Sequence, residues 1–458
     1  MASFSPVIRR IGTQLFWLPF WLAGVAWRHA HIFRAHPMTQ FVYSDMQGYY
    51  ESALRWYTPG YAPNVGDAVY PPGAGYFFGF FHKFDPTWIS LEWALFLLSC
   101  ATPLCLGWIA WNLFGARVAG LTIIFGSLYF PWVDFFAFFL SEALFIPATV
   151  CAFALTVLAL LTRHRVLGFL PAIAAGLMFG LAASVKTVAL SSAVLIGGVL
   201  LWWQWRRRVS GLYRTVGYAA IGLVPVLVAV SHRCTKANEG HFCLVSTNGP
   251  LTTIFGHLPW VRSITWVDSA RGLTLGWGCP VSAQRRMFDQ EYTFNFGPYD
   301  GKANMAKIVE IVRADPVQAL ALSFDQIANL FYGSIPWPSS HTKWTRWALE
   351  SEQGFLFLGM IPALFQLRRR ARGLFRLDPA AAPEILLSLP VVGLTLTCFL
   401  TQGDPRYRIP LDGFIMILAS AEIAGWFGGR QQACRLPEFG QPRRGVPRAL
   451  PDVTTAGP

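Results

Sequence analysis

FAFFLSEALFIPATVCAFALTVLALL, residues 136–161, decides the fold class. It holds one carboxylate, Glu142, in an otherwise apolar run. A helix crosses the ~30 Å hydrocarbon core of a bilayer with about 20 apolar residues, so this run predicts a membrane-spanning helix. A carboxylate about one turn into such a helix is costly in lipid, and that cost predicts a functional role for Glu142. Working outward, the same pattern recurs at 11–27, 88–111, 116–133, 168–185, 188–205, 212–231, 353–367, 384–401 and 409–427. The predicted fold is all-α and integral to the membrane: a polytopic bundle of about ten transmembrane helices with juxtamembrane helices on its outer face. The stretch 11–27 also resembles a signal peptide, because Arg9-Arg10 precede it and Gly24-Val25-Ala26 resembles a cleavage site. Its apolar run continues to Trp27 and further spans follow, so it reads as a retained helix.

The composition agrees. Of 458 residues, 54% are hydrophobic and 13% charged, where soluble domains carry about 25% charged residues. The 19 Trp and 37 Phe suit interfacial belts. The net charge of +13 comes with arginine clusters placed directly after apolar runs, Arg206-Arg207-Arg208 and Arg368-Arg369-Arg370. Such clusters anchor cytoplasmic turns. No soluble segment offers the basic face that nucleic acid requires, so nucleic-acid binding is excluded as a reading. With the N-terminus inside, Arg117, Arg163, Arg165, Arg206 to Arg214, Arg368 to Arg376 and the tail are all cytoplasmic. This orientation predicts a membrane domain over 1–427, with outer segments 28–87 and 232–352, and predicts that 428–458, which lie outside the residues the structure describes, are a basic, disordered cytoplasmic tail.

Both outer segments carry local signals. Tyr49, Tyr50, Leu54, Trp56 and Tyr57 predict a short amphipathic helix at the membrane surface. Tyr70-Pro71-Pro72-Gly73 predicts a rigid turn. Ser246-Thr247-Asn248-Gly249-Pro250 predicts another. Residues 302–332 have helical periodicity without a spanning run, which predicts surface helices and no independent soluble domain with its own core. Cys100, Cys105, Cys151 and Cys398 lie in apolar runs and read as small hydrophobes. Cys234 and Cys243 flank a short polar hairpin on the outer side, where a disulfide fits an oxidising compartment. His232 and His241 beside them supply residue types found in zinc sites, but nothing else supports a metal, so a loop disulfide or free thiols is the simpler reading.

Ionisable residues gather at the outer ends of the predicted spans. Asp45 follows the first span, Asp134 and Glu142 lie between the third and fourth, and Lys186 between the fifth and sixth. Asp404, Arg406, Tyr407 and Arg408 lie between the ninth and tenth. Each has a plainer explanation. Ser44 or Asp45 can cap the next helix, Lys186 can snorkel, and Arg406 and Arg408 can anchor at the interface. Together, carboxylates and cations at one membrane boundary suit transfer from a phosphate-linked donor. A carboxylate acts as general base on an acceptor hydroxyl, and cations neutralise the departing phosphate. There is no P-loop, no GxGxxG after a strand and no HExxH. A transporter or flippase is the alternative, although transporters place ionisable groups near the bilayer midplane, on broken helices in repeated halves.

Ser44-Asp45-Met46-Gln47-Gly48-Tyr49-Tyr50, Tyr70-Pro71-Pro72-Gly73, Ser141-Glu142-Ala143-Leu144-Phe145 and Asp404-Pro405-Arg406-Tyr407-Arg408-Ile409-Pro410-Leu411 occur in this order along the chain. The ordered set resembles the GT-C glycosyltransferases, nearest the bacterial protein mannosyltransferase-like, aminoarabinose-transferase-like and rhizobial lipopolysaccharide-core transferases, and covers the chain to about residue 427. The resemblance implies a hexosyl- or pentosyltransferase of the bacterial inner membrane, active on the periplasmic face in cell-envelope glycosylation. It would take a sugar from a polyprenyl-phosphate carrier to a glycan, lipid or protein acceptor. It implies catalytic roles for Asp45 and Glu142, and donor-phosphate contacts from Lys186, Arg406, Arg408 and, more loosely, Lys83. Tyr70, Asn248 and Asp134 are expected to line the substrate. No cofactor is expected. Met46 and Gln47 follow Asp45 where many relatives have a second acidic residue, which weakens the case for a metal held by an acidic pair, as in the oligosaccharyltransferase branch, without excluding a divalent ion.

Overall fold

The computed structural model describes residues 15–163, 166–259, 261–268, 273–278, 290–297, 300–332, 352 and 354–427. Helix α1 (Leu18–Ala30) continues as a π turn to Ala35. The first outer segment holds α2 (Asp45–Trp56) and α3 (Gly73–Phe84). Helices α4 (Ile89–Phe114), α5 (Ala116–Leu128), α6 (Phe130–Phe135), α7 (Glu142–Thr162), α8 (Phe169–Val185), α9 (Ala189–Arg206) and α10 (Leu212–Ala237) follow. The second outer segment holds α11 (Asn248–His257), α12 (Gly301–Ala314) and α13 (Pro316–Tyr332). The chain closes with α14 (Ile361–Arg369), α15 (Ala371–Phe375), α16 (Ala382–Leu400), α17 (Pro405–Arg408) and α18 (Asp412–Trp426).

Among the described residues, five helical runs are long and apolar enough to cross a membrane: α4, α7, α10, Pro379–Leu400 and Pro405–Trp426. Helices α5 and α8 are apolar but shorter. The expected run 116–133 is broken because Tyr129 turns to an extended backbone and Pro131 starts the separate α6, as proline does at a helix N-terminus. The run 136–161 also changes. Its helix begins at Glu142, so the carboxylate lies in the first turn, where the helix dipole favours negative charge. Helix α10 extends past the expected 231 to Ala237, so the second outer segment starts later than predicted.

The core is aromatic. Trp132, Phe135, Phe136, Phe138, Phe139 and Phe145 are all buried. The last span lies at the centre, with 83% of its apolar window buried, and α10 lies at the rim, with 11%.

The all-α expectation needs correction. Strands β1 (Val261–Asp268), β2 (Leu273–Gly278) and β3 (Gln290–Phe294) form a sheet in the order β2-β1-β3. Strand β1 is antiparallel to β2 and parallel to β3. Ile264 and Trp266 alternate inward and pack with Leu251, Ile254, Phe294 and Ile308, so the outer segment has a small core of its own, contrary to expectation. The surface helices expected at 302–332 are α12 and α13, broken at Asp315-Pro316.

Candidate active site

Four elements meet at one end of the bundle. Ser44 has a φ of 50°, uncommon for a residue with a side chain, and it turns the chain into α2 with Asp45 first. Neither Ser44 nor Asp45 caps that helix, so the capping explanation for Asp45 fails. Glu142 opens α7, and Lys186 ends α8. Arg406 lies on α17, held by the Asp404 carboxylate, which accepts from the Arg406 backbone N–H at 2.8 Å.

Arg406 is the hub. Its Nη1 donates to Asp45 Oδ2 at 2.7 Å, its Nε donates to Glu142 Oε1, and its Nη2 lies 3.5 Å from Glu142 Oε2. Lys186 Nζ donates to the same Glu142 Oε1 at 2.8 Å and lies 4.8 Å from the centre of the Tyr407 ring. Ser141 Oγ donates to Glu142 Oε2 at 3.0 Å. Tyr70 donates its hydroxyl to Asp45 Oδ1 at 3.0 Å. Burial, then the adjacent Asp45 charge, holds the Tyr70 phenol well above its usual range, so it stays a donor. Burial draws the Lys186 ammonium below its ordinary value, and Glu142 opposes that shift. The Glu142 side chain is 0% exposed and the Asp45 side chain 28%. Glu142 is therefore the enclosed partner of both cations, and Asp45 is the more exposed carboxylate.

These groups open on a cavity of about 310 Å³ lined by Asp45, Tyr70, Lys186, Asn248, Arg406 and Tyr407. The sequence singled out all of these. It read Ser246 only as part of a turn and passed over Thr252, Thr397 and Thr401; all four also line the cavity. Thr397 in the last turn of α16 and Thr401 just past its end, four residues apart in a mostly apolar run, were a usable signal.

Beside it lies an apolar cavity of about 840 Å³ between α3, α4, α7, α8 and α10. Val185 lines both, and Pro71 of the first adjoins Pro72 of the second. The Tyr70-Pro71-Pro72-Gly73 turn forms the shared wall. A Cβ on Gly73 would lie 2.4 Å from Ser184 Oγ and 2.7 Å from the Ser184 carbonyl, so only glycine allows this approach.

Three predicted site residues lie elsewhere. Arg408 is fully buried: it pairs with Glu352 and with Asp412 at 3.0 Å, and donates to the Leu330 and Phe331 carbonyls. Asp134 is buried against His31 Nε2 at 2.9 Å. Lys83 is exposed on the last turn of α3, 5.7 Å from the centre of the Tyr57 ring. None of the three lines the cavity. Cys234 and Cys243 are joined as a disulfide. Among the described residues no group of three or more His, Cys, Asp or Glu side chains is arranged to hold a metal ion.

No protein-family profile and no curated protein sequence matches the chain. Solved structures do. The structure is similar to the archaeal oligosaccharyltransferase AglB from Archaeoglobus fulgidus, solved in complex with an inhibitory peptide and a dolichol-phosphate. The TM-score is 0.53 and the identity 11%, over 91% of this chain and 51% of that one. It is also similar to the Archaeoglobus fulgidus oligosaccharyltransferase tethered to an acceptor peptide containing the NVT sequon, with a TM-score of 0.50 and 10% identity, over 91% of this chain and 50% of that one. The chain thus spans about half the length of the structures it matches. At 10–11% identity the likeness is one of fold, shared with part of these oligosaccharyltransferase structures.

Proposed function

We propose that the protein is a membrane glycosyltransferase that moves a sugar from a polyprenyl-phosphate carrier to a glycan, lipid or protein acceptor. It would work on the periplasmic face of a bacterial inner membrane, with both termini cytoplasmic. The observation that carries this reading is the Arg406 bridge between Asp45 and Glu142, with Lys186 beside it. The bridge borders a polar cavity that adjoins a larger apolar one. A polyprenyl tail suits the apolar cavity, and a phosphate suits Arg406 and Lys186. The dolichol-phosphate bound by the structural neighbour supports a lipid phosphate in this fold.

The donor phosphate competes for Arg406 and releases Asp45 from its ion pair. The acceptor hydroxyl oxygen then attacks the anomeric carbon while Asp45 takes the hydroxyl proton. The carbon–oxygen bond to phosphate breaks, and the leaving polyprenyl phosphate keeps the electron pair. Arg406 and Lys186 meet the charge that builds on it. Glu142 keeps both cations in place.

The test uses the purified full chain in nanodiscs with undecaprenyl-phosphate-linked sugars and cell-envelope acceptors. Asp45→Asn lowers turnover by about 100- to 10,000-fold, the usual worth of a general base, and Glu142→Gln lowers it too. Undiminished transfer by both variants would sink the mechanism. Movement of the lipid-linked sugar across liposomes without cleavage of its glycosidic bond would make the protein a flippase instead.

A further inference from the structure

Part of the cavity lining carries uncharged polar groups. Ser246, Asn248 and Thr252 contribute from the outer segment, Thr397 from α16 and Thr401 from the residue that ends it. The threonine protons are already committed. Thr252 Oγ1 donates to the Gly249 carbonyl at 2.9 Å, Thr397 Oγ1 to the Gly393 carbonyl at 2.8 Å, and Thr401 Oγ1 to the Thr397 carbonyl at 2.9 Å. Each hydroxyl keeps acceptor capacity. Asn248 Oδ1 is buried and has no hydrogen-bond partner among the described residues. Its position is fixed from the neighbouring residue: the Thr247 N–H donates to the Ala68 carbonyl at 2.7 Å, and the Thr247 hydroxyl donates to the same carbonyl at 3.2 Å. A buried acceptor without a donor is costly until a ligand supplies one.

The wall therefore asks for a ligand that brings hydrogen-bond donors, and none of its five residues is ionisable. The carboxylates nearby are engaged: Asp45 and Glu142 by Arg406, Glu142 also by Lys186, and Asp404 by the Arg406 backbone N–H. A sugar carboxylate would meet the Asn248 Oδ1 and threonine acceptors, with only the Asn248 amide N–H groups and the Ser246 hydroxyl to donate to it and with Lys186 and Arg406 already taken by the donor phosphate. A sugar ammonium would draw Asp45 away from its work as base. We propose that Asn248 reads the hydroxyl groups of an uncharged sugar, and that the protein discriminates against hexuronic-acid and amino-sugar donors. This rests on the glycosyltransferase reading of the same site.

Three undecaprenyl-phosphate donors test it, bearing a neutral hexose, a hexuronic acid or an amino sugar. Each is given to the full chain in nanodiscs, and transfer to water or to cell-envelope glycolipid is measured as undecaprenyl phosphate released. The neutral donor is expected to exceed both others at least about tenfold in kcat/KM, the worth of one well-placed hydrogen bond. Asn248→Ala lowers kcat/KM for the neutral donor by about tenfold on the same grounds, with the affinity for undecaprenyl phosphate unchanged. Asn248→Asp raises the ratio of amino-sugar to neutral-sugar use, a change that loop damage alone would not produce. Equal or better use of a charged sugar by the wild type, or an unchanged ratio in Asn248→Asp, overturns this inference and leaves the glycosyltransferase reading standing. Release from none of the three donors overturns both.

Discussion

Arg406 and Arg408 are two residues apart on one turn of helix, and at about 100° per residue they point to nearly opposite sides. Arg406 turns to the cavity and forks between Asp45 and Glu142. Arg408 turns inward to Glu352 and Asp412, and its guanidinium also reaches the carbonyls that end α13. Substitutions should separate the two roles. Arg406→Lys keeps the charge and loses the fork, so turnover falls about 100-fold, as when one electrostatic donor is removed from a transition state, with little change in the unfolding midpoint. Arg408→Met strands two buried carboxylates, which costs about 3–5 kcal/mol, so the midpoint falls. Thermal unfolding and turnover measured in parallel check this, and equal loss of stability in both variants would refute the division. The sequence assigned both arginines to phosphate because the string Asp-Pro-Arg-Tyr-Arg does not say where its helix begins. Only with Pro405 at the first helical position is the facing of each side chain fixed. Asp134 lies away from the cavity, and its place was hidden for a related reason: its partner, His31, is 103 positions away, beyond any local pattern. Asp45, Glu142 and Lys186 were legible because an ionisable group at the end of an apolar run stands out whatever its partner.

At the scale of elements, apolar length made the main spans readable, whereas short alternating strands such as β1 were lost beside stronger helical signals. The outer loop after α10 was legible only as a turn with two cysteines. In the structure it is a clamp. The Cys234–Cys243 disulfide closes it. Ser231 Oγ donates to the Cys243 carbonyl at 2.8 Å, and the Cys243 N–H donates to Thr235 Oγ1 at 3.1 Å. A few residues on, Thr247 is bound to Ala68 on the turn before α3. The clamp thereby carries Ser246 and Asn248 to the cavity at a fixed height. Cys243→Ser should cost about 2–4 kcal/mol, the usual worth of a disulfide, and should raise the donor KM severalfold while changing kcat less, because Asp45 and Arg406, the groups proposed to react, lie on other elements. Reduction of the wild type should reproduce the variant. A fall in kcat at constant KM would show instead that the loop acts on the chemical step.

At the scale of the whole molecule, charge divides the bundle into two ends. Glu142 opens α7, Lys186 follows α8 and Arg406 precedes α18, so these groups share one end. The arginine-rich turns gather at the other. Arg207 Nη2 donates to the Arg376 carbonyl at 3.3 Å, and Trp203 Nε1 donates to the Leu377 carbonyl at 2.8 Å. Arg369 and Arg370 pair with Glu422 and Glu384 at 2.9 and 3.4 Å. Positive charge on short turns is what holds an end in the cytoplasm, and lipid between the ends forbids either from crossing once the bundle has folded. The turn between α7 and α8, where Val166 is 93% exposed, should then face the cytoplasm, and Lys302 on α12 should face the opposite side. Single Val166→Cys and Lys302→Cys variants, each with Cys279→Ser and Cys434→Ser, can be placed in sealed inside-out and right-side-out vesicles with a membrane-impermeant maleimide. Val166→Cys is expected to label only in inside-out vesicles and Lys302→Cys only in right-side-out ones. Labelling of both from one side would remove the two-ended arrangement, and with it the periplasmic address of the Asp45 cavity.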